Sequence, residues 1–150
     1  MSENIFSVTS HNKRIWSFVI DDMIINLLLI IIFYEPIKAL MGNVTVIDET
    51  TVMMINQFVM DNAIIVFMVK VLYHTLLVWQ SGMTLGKYVM KIRVVDYKTG
   101  SSPLFWQAFL RASIRLVSEM FFYLGFLFAF FSSLRQTLHD KLSNCVVVDA

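Results

Sequence analysis

The sequence predicts an all-α membrane protein with two full transmembrane helices. A third long helical region, tilted or re-entrant, and a short cytoplasmic β-like element complete the expectation. Three observations lead there. Hydrophobic residues make up 57% of the 150-residue chain against 15% charged, and mean hydropathy is +0.68. The apolar residues gather in runs of bilayer length. Charged side chains interrupt those runs at matching depths, where charge is costly enough to mark a structural or functional need. Residues 1–150 read as a single membrane domain.

The first span covers residues 15–34, a run of 20 interrupted only by Asp21, Asp22 and Asn26. As a helix it would reach about 30 Å. Arg14 stands at its mouth. The polar stretch before it and the lack of a small-residue cleavage pattern argue for a retained anchor rather than a signal peptide. The second span covers residues 58–79 and carries Asp61, Lys70 and His74. The third region, residues 103–131, opens with Ser101-Ser102-Pro103, a helix start with Ser as cap and Pro in the first turn. Arg111, Arg115 and Glu119 follow at four-residue steps on one face. One helix over that whole stretch would be about 43 Å long. It is either a tilted span that leaves the C-terminus outside, or it breaks near residues 118–125 and returns. Two β-branched runs, Ile92–Asp96 and Asn144–Val148, favour the return, because each is marginal alone and they can pair at the membrane surface.

Charge sets the orientation. Lys13 and Arg14 precede the first span, and the 80–102 segment holds Lys87, Lys91, Arg93 and Lys98 against Asp96. The 35–57 connector has Lys38 against Glu35, Asp48 and Glu49. The positive-inside rule therefore places the N-terminus in the cytoplasm. A net charge of +1 does not suggest a nucleic-acid partner. Cys145 is the sole cysteine, which excludes an intrachain disulfide and a cysteine-based metal cluster. No cofactor signature is present.

Four ordered blocks resemble the RDD family of small bacterial membrane proteins. Arg14, Asp21 and Asp22 match the arginine and aspartate pair of the family's first helix. Gly82, Thr84, Leu85, Gly86 and Lys87, running into Arg93-Val94-Val95-Asp96, match a second block. Arg111 and Arg115 match an arginine-bearing helix; Thr137, Leu138, His139, Asp140, Leu142 and the valine run match the closing block. The resemblance implies residence in the bacterial inner membrane. It also implies transport as the usual suggestion, with cation/proton antiport associated with some members.

Depth sharpens the candidate site. Measured from the cytoplasmic side, Asp21 and Asp22 lie about 9–11 Å deep, Lys70 about 13 Å, His74 about 7 Å, Arg111 about 9 Å and Arg115 about 15 Å. These residues and Arg14 form the expected buried network. Asp21 is expected to pair with Arg14 or Arg111, while Lys70 and His74 share a face that can address Asp22. Asp61, Glu119, His139 and Asp140 are secondary candidates. His139 and Asp140 make an incomplete metal site and are expected to brace a local turn. The leading functional expectation is a small transporter exchanging monovalent cations for protons through intramembrane carboxylates. The alternative is a membrane scaffold or accessory subunit whose buried charges specify helix assembly. Membrane lipid and a homo-oligomeric or heterologous membrane partner accompany both. An enzyme is less favoured, since no nucleophile or substrate pocket is evident.

Overall fold

A computed structural model of the chain describes residues 7–42, 44, 46–120 and 136–150. Helix α1 (His11–Ile32) starts at Ser10, whose hydroxyl accepts from the Lys13 amide. Its inward residues Ser17, Asp21 and Ile25 recur every four positions, so they line one face. Outward stand Trp16, Met23, Leu27 and Ile31, all more than half exposed. With Ser17 and Asp21 turned inward beside Ile25 and large apolar side chains turned outward, the helix departs from the pattern of a soluble one and suits contact with lipid.

After the break at Phe33 the chain forms α2 (Tyr34–Met41) and α3 (Glu49–Asp61). Asp48 caps α3 by accepting from the Thr51 amide at 2.9 Å. Asn62 then interrupts the second apolar run, and its side-chain amide donates to the Phe58 carbonyl at 2.8 Å. Helix α4 (Ala63–Ser81) follows. The expected span from residue 58 is thus two helices, and Asp61 ends the first of them. On α4, Ile64, Met68 and Leu72 face outward while Val71, His74, Thr75 and Val78 are buried. Among the described residues α1 and α4 are the two helices long and apolar enough to cross a membrane. At 22 and 19 residues they measure about 33 and 28 Å.

A left-handed turn at Gly82 (φ 72°) ends α4. A Cβ there would lie 2.7 Å from the Val94 carbonyl oxygen, so the turn requires glycine on two counts. It feeds α5 (Leu85–Val89) and β1 (Ile92–Asp96). Strand β1 pairs antiparallel with β2 (Cys145–Asp149), Val94 opposite Val147, as the two β-branched runs suggested. The N-terminal segment joins the same sheet: Val8 bridges Val148, and Lys13 forms an ion pair with Asp149 at 2.8 Å. Val78, Ile92, Val94, Ala108, Cys145 and Val147 pack as the core between sheet and helices.

Helix α6 (Phe105–Met120) begins two residues beyond Pro103. Gln107 explains the delay. Its carbonyl oxygen accepts from the Leu104 amide at 2.9 Å while its amide donates to Asp96, tying the first turn of α6 to the end of β1. The short α7 (Leu138–Leu142) starts at a capping box between Thr137 and Asp140. The choice between a tilted span and a re-entrant return falls on residues 121–131, which lie outside the described residues.

Candidate functional site

Asp21 lies fully buried where α1 meets the loop after α4. Its carboxylate accepts from the Tyr73 hydroxyl at 2.9 Å, the Gly86 amide at 2.8 Å and the Thr84 hydroxyl, with Lys87 Nζ 3.8 Å away. Thr84 caps α5, so the first turn of that helix is built around the carboxylate. Contact is close enough to need glycine at position 86. A Cβ there would collide with the Ser17 carbonyl oxygen and lie 2.9 Å from Asp21 Cγ.

Asp140 is the second buried centre. Arg111 donates to one carboxylate oxygen from Nε at 2.9 Å and from Nη2 at 2.6 Å. Arg14 donates to the other at 3.2 Å and also to the Val147 carbonyl at 3.1 Å. Burial pushes the Asp140 carboxyl up, but the Arg111 and Arg14 guanidinium groups outweigh it and hold it below its ordinary value. His139 beside it is pushed well below the ordinary histidine range by burial and by Arg111, against the pull of Asp140. Lys87 falls to about 7 through burial and the Arg111 charge, despite the nearby Asp21.

A third cluster links the helices. Lys70 on α4 lies 3.4 Å from Asp22 on α1 and 3.3 Å from Glu119 on α6. Asp22 also accepts from Asn26 at 3.0 Å, and its side chain keeps 38% of its exposure. Arg115 reaches Glu119 at 3.2 Å and His74 Nδ1 at 3.3 Å, with its guanidinium over the Phe18 ring. A guanidinium only donates, so His74 Nδ1 acts as the acceptor. Lys70 and Glu119 also line a cleft of about 610 Å³ with Val59, Ile64, Phe67 and Leu116.

The expected partners are partly redistributed. Arg14 and Arg111 meet Asp140 rather than Asp21. His74 meets Arg115 rather than Asp22, whereas the Lys70–Asp22 pair forms as expected. Asp61 is exposed and accepts from Gln57 at 2.7 Å, apart from the network. Asp140 does close a local turn, yet its larger role is to hold two arginines from distant helices. Sequence reasoning missed Tyr73, Thr84, Gly86 and Lys87 as the surroundings of Asp21. The glycine–threonine–glycine–lysine block carried a signal for three of them; Tyr73 carried none. Among the described residues no group of three or more His, Cys, Asp or Glu side chains could hold a metal ion.

Two membrane-length helices fastened by buried ion pairs to a small strand-and-helix platform define a compact membrane-protein class. The chain belongs to the RDD family, which it matches over residues 8–144. It is 34% identical to a proline-rich antigen homolog of Mycobacterium tuberculosis over 67 residues, 45% of this chain and 28% of that protein. With a proline-rich antigen of Mycobacterium leprae it shares 36% over 66 residues, 44% and 26% of the respective chains. An uncharacterized protein of Rickettsia prowazekii is 28% identical over 120 residues, 77% of this chain and 59% of that one. The chain therefore spans less than a third of its mycobacterial relatives. No solved structure matches it.

Proposed function

We propose that this chain is a membrane scaffold or accessory unit of the bacterial inner membrane. In this reading the buried charges lock two membrane helices onto a cytoplasmic platform. The saturation of Asp21 by two hydroxyl groups, one amide and one ammonium carries the reading. A carboxylate held that way is a fastening; an ion carrier needs ligands it can exchange. The mycobacterial matches support use as a module, since the shared segment is a minor part of those longer proteins. Basic residues around the platform favour a cytoplasmic N-terminus, and the pairing of β1 with β2 favours a C-terminus on the same side. Assembly with a second copy or another membrane protein would give the outward apolar faces a protein neighbour.

Cation/proton exchange is the second reading, favoured by the half-exposed Asp22 and the Lys70–Glu119 pair beside their cleft. Proton, sodium and potassium flux in sealed proteoliposomes separates the two. The scaffold reading predicts flux no greater than in empty vesicles. Flux that collapses in a folded Asp22→Asn variant would replace it with the transport reading.

A further inference from the structure

Helix α5 is far too short to cross a bilayer, yet it is docked well along the first membrane-length helix. The Gly86 amide donates to Asp21 at 2.8 Å, and a Cβ on Gly86 would collide with the Ser17 carbonyl oxygen. Those contacts fix the level of α5 between Ser17 and Asp21. The apolar run of α1 begins at Ile15, so this level lies about 3–9 Å inside it. Tyr73 reaches the same carboxylate from about two turns before the end of α4. Both membrane-length helices thus run on past α5 towards their platform ends.

The faces of α5 divide by polarity in the sense opposite to a helix at a water surface. Gly86 and Lys87 are turned inward and buried. Leu85, Tyr88 and Val89 are 47%, 68% and 61% exposed, at the spacing of a single helix face. The helix that α5 packs on also turns large apolar side chains outward, among them Trp16 and Met23. All three tryptophans of the chain are exposed near the platform end. Trp16 stands in the second turn of α1, Trp79 in the last turn of α4 and Trp106 in the first turn of α6. Trp79 packs edge-on against Phe105, which sets the end of α4 level with the start of α6. Tryptophan collects at headgroup depth, so these residues mark where the lipid surface crosses the molecule. Just beyond α5 the chain carries exposed Lys91 and Arg93, cations suited to lipid phosphates.

We propose that α5 is inserted in the bilayer without spanning it, its Leu85, Tyr88 and Val89 face lying among the phospholipids of the leaflet nearest the platform. Interfacial helices bury their apolar face by roughly 5–10 Å, which agrees with the level at which α5 meets α1. The Asp21 fastening then holds a lipid-facing helix against a spanning one. The inference rests on α1 crossing the bilayer and is the same for a scaffold or a transporter.

The full chain is reconstituted in phospholipid vesicles as Leu85→Cys, Val89→Cys, Leu27→Cys or Lys98→Cys, each carrying a nitroxide spin label. The native Cys145 is fully buried, and wild type taken through the labelling serves as the blank. Power-saturation EPR compares collisions with oxygen, which concentrates in lipid, and with a water-soluble nickel chelate. Both α5 labels should lie about 5–10 Å below the lipid phosphates, with Leu27→Cys deeper and Lys98→Cys in water. Nickel collisions at Val89→Cys equal to those at Lys98→Cys would overturn the proposal. So would α5 labels shielded from oxygen and nickel alike, the outcome expected where a second copy or another protein covers this face. A Leu27→Cys label in water would overturn the placement of α1, and that of α5 with it. Ion flux bears on neither result, so the scaffold reading stands or falls separately.

Discussion

Asp21 is completely enclosed, whereas the adjacent Asp22 has a side chain 38% exposed. One residue of helix rotation separates them by about 100° and gives them different surroundings. Asp21→Ala removes the acceptor for Tyr73, Thr84 and the Gly86 amide together, and leaves Lys87 buried without its carboxylate. The expected loss is about 3–5 kcal/mol, the cost of breaking a buried ion pair from one side. Asp22→Asn should cost no more than about 1 kcal/mol, because its pair is partly solvated. Denaturation of both variants in the same detergent checks the contrast. Lys87 adds a pH signature. Its folded-state value of about 7 lies below the ordinary 10.5, so between those values the unfolded chain retains a proton that the folded chain has lost. This group therefore makes stability rise with pH across that window. Thermal unfolding of the wild type and Lys87→Met should show that slope flattening in the variant.

At the level of elements, α5 acts as a clasp on α1. The glycine at position 86 lets the α5 backbone reach the Ser17 carbonyl and the Asp21 carboxylate. Gly86→Ala is expected to push the two helices apart and destabilise the protein by about 1–3 kcal/mol, the usual range for overpacking. Unfolding of the variant in detergent measures that loss. The long apolar runs announced α1 and α4, and the two β-branched runs announced their own pairing. The break at Asn62 was not legible, since asparagine within an apolar stretch also fits a continuous helix. The surroundings of Asp21 escaped for another reason. Depth arithmetic compares membrane spans with one another, whereas its partners come mainly from the short α5 and its Thr84 cap, which fold back against α1. For Asp140, the local capping box was real but concealed the contacts to Arg14 and Arg111.

Across the whole molecule, the ion pairs form a continuous fastening. Lys70 joins α1, α4 and α6, while Asp140 joins α1, α6 and α7. Tyr73 and Lys87 bring α4 and α5 to Asp21. The identities of the network residues were thus largely readable, and their pairing required the tertiary structure. A cycle of Arg111→Leu, Asp140→Leu and the double variant, followed by reversible unfolding in detergent, tests the fastening most directly. The account predicts that Asp140→Leu costs about 3–5 kcal/mol and strands two arginines. It further predicts that the double variant loses less than the sum of the singles by about 0.5–3 kcal/mol. Small, additive losses would contradict the account.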